Sequence, residues 1–164
     1  MKLLTLVRHA KSSWQDQDSS DHDRTLNARG LNDAPHMAQR LQQHGPLPDR
    51  ILCSSAKRTR ETCDIFLSVW NMQQDAATYD KALYLAATGT IQSLIEHTPD
   101  DVDHLMLIAH NPGLERLGQI LHPDAPKALP TCATVQFELD QASFALDNAE
   151  AINLIRYDFP KNPG

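Results

Sequence analysis

The stretch Leu6-Val7-Arg8-His9-Ala10-Lys11 closes an apolar run that opens almost at the N-terminus. Residues 3–7 are continuously apolar with a β-branched member, the pattern of a strand buried on both faces. An arginine and a histidine where such a strand stops put reactive groups at a strand end. In α/β folds these ends open into crevices that bind ligands. Arginine supplies a planar fork that matches phosphate oxygens, and histidine is a nucleophile or proton carrier near neutral pH. On its own the dipeptide is equally a surface pair of no consequence. What decides is whether other strand ends carry partners.

Two do. The apolar run Ile51-Leu52-Cys53 leads through Ser54-Ser55 into Lys57-Arg58-Thr59-Arg60, and Cys63, Phe66, Leu67 and Trp70 follow at helical spacing. Ser54-Ser55 is expected to cap that helix, which puts Arg58 in or near its first turn. The segment 103–109 holds Leu105-Met106-Leu107-Ile108 and stops at His110-Asn111-Pro112-Gly113, before a helix marked by Leu114, Leu117, Ile120 and Leu121. Between these units, Leu31, Ala34, Met37, Ala38 and Leu41 predict a helix with Asn32 as N-cap. Pro35 then falls in its first turn, or otherwise marks a kink. Residues 78–85 read as a weak strand, and Thr90 as the cap of a helix carrying Ile91, Leu94 and Ile95. Residues 133–139 alternate apolar and polar like a half-exposed or antiparallel edge strand, residues 152–157 read as a last strand, and residues 160–164 as a frayed tail.

Strands alternating with helices predict one α/β domain over residues 1–164. Its expected architecture is a three-layer α/β/α sandwich whose central sheet is mostly parallel, with an antiparallel edge strand. In a parallel sheet the strand ends share one edge, so Arg8, His9, Arg58 and His110 can converge there. Two guanidinium groups and two imidazoles beside helix N-termini suit a tetrahedral dianion.

Composition narrows the field. The chain has 164 residues, 41% of them hydrophobic, and a formal net charge of −6. No Lys/Arg block stands against that balance, which excludes a nucleic-acid groove. A small basic pocket in an acidic body still attracts a phosphoryl group locally. Cys53, Cys63 and Cys132 form no C-x-x-C pair and leave an odd count, so they read as small core residues in a reducing compartment. The apolar start is interrupted too soon for a signal peptide, and no apolar stretch approaches the roughly 20 residues of a membrane span. The expected location is cytoplasmic. The eight histidines show no metal-ligand spacing, so no metal and no cofactor are expected.

The ordered set of motifs resembles the histidine phosphatase superfamily, with its phosphoglycerate mutase-like fold, and within it the small SixA-type phosphohistidine phosphatases. Arg8-His9-Ala10 stands at the Arg-His-Gly signature, with Ala10 in the glycine position. Residues 54–62 resemble the segment that carries the second phosphate arginine, here Arg58. Ala109-His110-Asn111-Pro112-Gly113 resembles the second-histidine segment, and residues 23–30 resemble the stretch leading into the first helix. The resemblance implies His9 as nucleophile, Arg8, Arg58 and His110 around the phosphoryl oxygens, and Asn111 among the substrate-binding residues. Residues 81–88, where relatives place a proton-donating acid, contain no Asp or Glu, and Leu85 stands at the usual acidic position. Without an acid an alcohol leaves poorly. The implied substrate is therefore a histidine-phosphorylated protein or an ester with a good leaving group. The rivals are a phosphomonoesterase for small phosphorylated metabolites, a phosphoprotein-binding module without turnover, and a phosphoryl relay. Only about twenty residues separate Trp70 from Gly89, which leaves no room for a lid and implies a shallow pocket. Asp16 and Asp18 are outside candidates for a proton donor, read first as solvated loop residues.

Overall fold

The computed structural model describes residues 1–16 and 18–163. Among these, six strands form one sheet: β1 (Lys2–Arg8), β2 (Arg50–Ser54), β3 (Ala77–Asp80), β4 (His104–Ala109), β5 (Thr134–Leu139) and β6 (Ile152–Asp158). Their order is β3-β2-β4-β1-β5-β6. The first four pair in parallel, while β5 runs antiparallel to β1 and β6 antiparallel to β5. The antiparallel edge is thus a two-strand addition rather than a single strand. Four α-helices cover the faces: α1 (Ala28–Gln43), α2 (Lys57–Trp70), α3 (Thr88–Glu96) and α4 (Gly113–Leu121).

The central strand β4 is buried at every residue, as its unbroken apolar run requires. Its side chains alternate between the two layers. Leu105 and Leu107 join Leu4, Leu6, Leu117 and Phe137 on one side, and Met106 and Ile108 join Val7, Met37, Phe66 and Trp70 on the other. That split is the expected α/β/α sandwich. The three cysteines lie free and buried within it, and burial pushes the Cys53 and Cys132 thiols up, so they stay protonated.

Local punctuation differs from the sequence reading at three helix starts. α1 begins at Ala28, capped by Asn27, whose side chain accepts from the Gly30 amide at 2.9 Å; Asn32 lies inside the helix. Apolar periodicity starts only at Leu31, so the first turn, Ala28-Arg29-Gly30, carries no such signal. Pro35 sits within the helix, where it leaves the carbonyl of exposed Leu31 without its intrahelical donor. Gly30 is required by packing: a Cβ there would lie 2.2 Å from the Lys11 carbonyl oxygen, so α1 presses on the loop that follows β1. The N-cap of α2 is Ala56, with no side-chain bond. Ser54 accepts from the Ala56 amide at 3.3 Å but turns chiefly toward the site. α3 starts at Thr88, so Thr90 is internal. At the far end, Arg40 donates to the carbonyls of Phe159 (3.1 Å) and Asn162 (2.9 Å), which ties residues 159–162 to α1. None of the helices formed by the described residues is long and apolar enough to cross a membrane.

Candidate active site

Strand register assembles the site. Arg8 of β1 faces Ala109 of β4 in parallel pairing, so the next residues, His9 and His110, leave the sheet side by side. Their rings lie 5.3 Å apart. Cys53 of β2 faces Ile108, which brings Ser54 to the same rim. The loop before β5 closes the other flank, where the amide of Cys132 donates to the His9 carbonyl at 3.0 Å. Four side chains spread over a hundred residues thereby gather round one pocket of about 300 Å³.

Hydrogen bonds fix the tautomers. The Nδ1–H of His9 donates to the Ala10 carbonyl at 2.7 Å, which leaves Nε2 as the lone-pair nitrogen. Arg58 Nε donates to that Nε2 at 3.4 Å. Arginine only donates, so the Nδ1 of His110, 3.4 Å from Arg58 Nη2, is also an acceptor. Its Nε2–H then donates to Ser54 Oγ at 2.7 Å. Both imidazoles are neutral in the free protein. Burial, with Arg58 and Arg8 adding repulsion against the opposing Ala10 bond, pushes His9 down to about 3. Burial, then His9 and Arg58, push His110 down to about 3.

These depressed values make stability depend on pH with a definite sign. Between the ordinary histidine value of about 6.5 and a folded value of about 3, the unfolded chain binds protons that the fold refuses. Stability is complete above the ordinary value and falls as pH drops through that window, by up to about 1.4 kcal/mol per pH unit for each histidine. Buried His104 shifts the same way. The urea midpoint at about pH 5 should therefore lie clearly below that at about pH 7.5. Equal midpoints would mean the imidazoles are not held neutral.

Arg8 donates from Nη1 to the Leu129 carbonyl at 3.0 Å, while its Nε, buried, has no partner. Asn111 borders the pocket too, but its Nδ2 is occupied by the same Leu129 carbonyl, at 2.9 Å. It steadies the loop that Arg8 also holds. Leu85 borders the pocket as expected, with its backbone in the left-handed region at φ 49°.

Several contributors escaped the sequence reading. Asp21 lies in the pocket, accepting from Arg58 (Nη2 to Oδ2, 3.1 Å) and Arg24 (Nη1 to Oδ1, 3.0 Å), and from the Tyr84 hydroxyl. The Tyr84 bond first, then the arginines, hold its carboxyl down at about 2, so it is an anion near neutral pH and not a proton donor. Its backbone carbonyl also accepts from Arg58 Nη1 at 2.7 Å. Trp14 lies over Arg24 at the pocket rim. The available signal was the dense polar loop after β1, since such loops carry function. Asp16 spends its oxygens on Ser19 and the Asp18 amide, and neither Asp16 nor Asp18 borders the pocket.

An α/β/α sandwich whose parallel strand ends present two neutral imidazoles among arginines has a pocket suited to an anion. Sequence comparison agrees. The profile of the histidine phosphatase superfamily (branch 1) matches residues 4–105, and the chain belongs to that superfamily. An uncharacterized chloroplastic protein of Arabidopsis thaliana is 37% identical over 140 residues, covering 80% of this chain and 63% of that relative, so the chain spans somewhat under two thirds of its length. Among solved structures, an Agrobacterium tumefaciens protein provisionally described as the phosphohistidine phosphatase SixA is 28% identical, with a TM-score of 0.80 over 97% of this chain and 98% of that one. A Nakamurella multipartitia protein under the same provisional description shares the fold, at 24% identity and a TM-score of 0.79 over 98% and 97% of the two chains.

Proposed function

We propose that this chain, acting as a single domain, hydrolyses phosphohistidine in proteins through a phosphoryl group carried on Nε2 of His9. The observation that carries this reading is the Nδ1–H bond from His9 to the Ala10 carbonyl, which aims the one lone pair of the ring into a pocket of arginines. In the first step the Nε2–P bond forms as the P–N bond to the substrate imidazole breaks. The substrate ring, protonated on its other nitrogen, departs neutral. His9 becomes the protonated, phosphorylated ring, and its charge rests against Ala10. Transfer between two imidazoles is nearly thermoneutral and needs no general acid, which matches a pocket whose one carboxylate, Asp21, is held ionised. Water then attacks phosphorus, the P–Nε2 bond breaks, and dihydrogen phosphate leaves neutral His9.

Arg8 and Arg58 hold the equatorial oxygens of the transferring group. An arriving dianion favours protonation of His110, which can then donate from Nδ1 to the phosphoryl group in place of accepting from Arg58. A cavity of about 300 Å³ lies at the small end of ligand pockets, so it admits a phosphoryl group and its immediate attachment more readily than a large enclosed metabolite.

Phosphate release from a histidine-phosphorylated carrier protein, set against a simple alkyl phosphate, tests the reading. General acids contribute about 10²–10⁴-fold, so the phosphoramidate should be favoured by at least about a hundredfold in kcat/KM. Comparable turnover of the two would overturn it in favour of a small-molecule phosphomonoesterase. Binding without any release would point to a phosphoprotein-binding module.

A further inference from the structure

We propose that Trp14 and Leu85 form a leaving-group subsite that selects phosphoryl donors whose departing group is a planar aromatic ring. The inference rests on the phosphatase reading above and adds the chemistry of what the phosphoryl group is attached to.

Trp14 is 70% exposed, an unusual setting for the largest side chain. It is nevertheless anchored. The Arg24 guanidinium lies 3.2 Å from its ring centroid, a close cation–π contact. Arg24 is itself fixed on three sides: Nε donates to the Ser13 carbonyl at 3.0 Å, Nη1 to Asp21 at 3.0 Å, and Nη2 to Ser12 Oγ. A guanidinium plane held by three bonds is a rigid base for an indole. The ring is therefore positioned yet open to solvent, beside the pocket that holds His9.

Leu85 supplies the second apolar element. It is 55% exposed and borders the same pocket. Its φ of 49° is uncommon for leucine, and the backbone holds it there between the turn at Lys81–Leu83 and the start of α3. An acid in this place would serve leaving groups that must be protonated. An apolar side chain serves those that can depart unprotonated or already carry a proton, and planar rings such as phenolates and imidazoles are that class. For an aryl phosphate the P–O bond breaks as the Nε2–P bond to His9 forms. Both electrons of the broken bond leave on oxygen as phenolate, and no proton has to be delivered.

The test compares kcat/KM for p-nitrophenyl phosphate and for acetyl phosphate, a donor with a good leaving group but no ring. Stacking contributions of the usual size predict that Trp14→Ala lowers the aryl-to-acetyl ratio about five- to tenfold, and that Trp14→Phe restores most of it. A ratio unchanged in Trp14→Ala overturns the proposal, whether both activities persist or both fall together through a displaced Arg24. If the unaltered protein acts on a histidine-phosphorylated carrier protein but on neither donor, the subsite proposal fails alone; if it releases phosphate from none of the three, the phosphatase reading fails and takes the subsite with it.

Discussion

Phosphate release by His9→Ala is expected to drop to background, a loss on the order of 10⁴-fold or more, because loss of a nucleophile is not compensated by the rest of a site. The structure explains why no neighbour can substitute. The other imidazole lining the pocket, His110, commits its Nε2–H to Ser54, and its Nδ1 is the atom that meets a phosphoryl oxygen in the proposed step, so its placement suits holding the group and not attacking it. Asp21 is bound to two arginines and a tyrosine. The substitution should leave the fold intact, since the β1–β4 pairing that positions residue 9 uses backbone groups and the amide at 9 still reaches the Ala109 carbonyl. The direct measurement is covalent labelling: a phosphoryl donor followed by an alkaline quench should leave label on the unaltered chain and none on His9→Ala. Turnover within tenfold of the unaltered protein would show that the phosphoryl group goes straight to water.

How far the site was legible depended on which kind of information each residue carries. β1, β2 and β4 announce themselves because strands buried on both faces are dominated by apolar residues, and their ends stand out where Arg8, Ser54 and His110 interrupt the run. Parallel order then brings those ends to one edge, so the convergence of Arg8, His9, Arg58 and His110 follows from topology alone. Spacing says nothing about which nitrogen of an imidazole faces inward. That depends on the Ala10 carbonyl and Ser54, contacts set by backbone direction after the strand and by β1–β4–β2 register. The loop between β1 and α1 was opaque for a related reason. Residues 12–24 carry no periodicity, so Asp21 and Arg24 were indistinguishable from Asp16 and Asp18 until Arg58 and Tyr84 arrived from other elements to pair with them. The antiparallel edge was half seen: alternation betrayed β5, but nothing in the composition of β6 states that it completes the same sheet.

Arg58→Ala should lower kcat/KM on the order of 10³-fold, at the upper end of what removal of one preorganised donor costs. Arg58 is only 3% exposed and contacts three ionisable side chains of the site at once, reaching both imidazoles at 3.4 Å and the Asp21 side chain at 3.1 Å. Its removal takes away phosphoryl binding and also the positive charge that opposes protonation of both histidines. Their pKa values should therefore rise in the variant, which histidine proton resonances followed through a pH titration would show. A residue with a packing role alone would not shift them. Arg58→Lys is expected to recover little, because a lysine ammonium is a point charge and cannot span two imidazoles and a carboxylate as the planar fork does. Activity restored to within tenfold by lysine would mean that charge alone matters at this position. The double contact of Arg58 with His9 and His110 would then be incidental to catalysis, and the case for a geometry tuned to one phosphorus atom would rest on His9 alone.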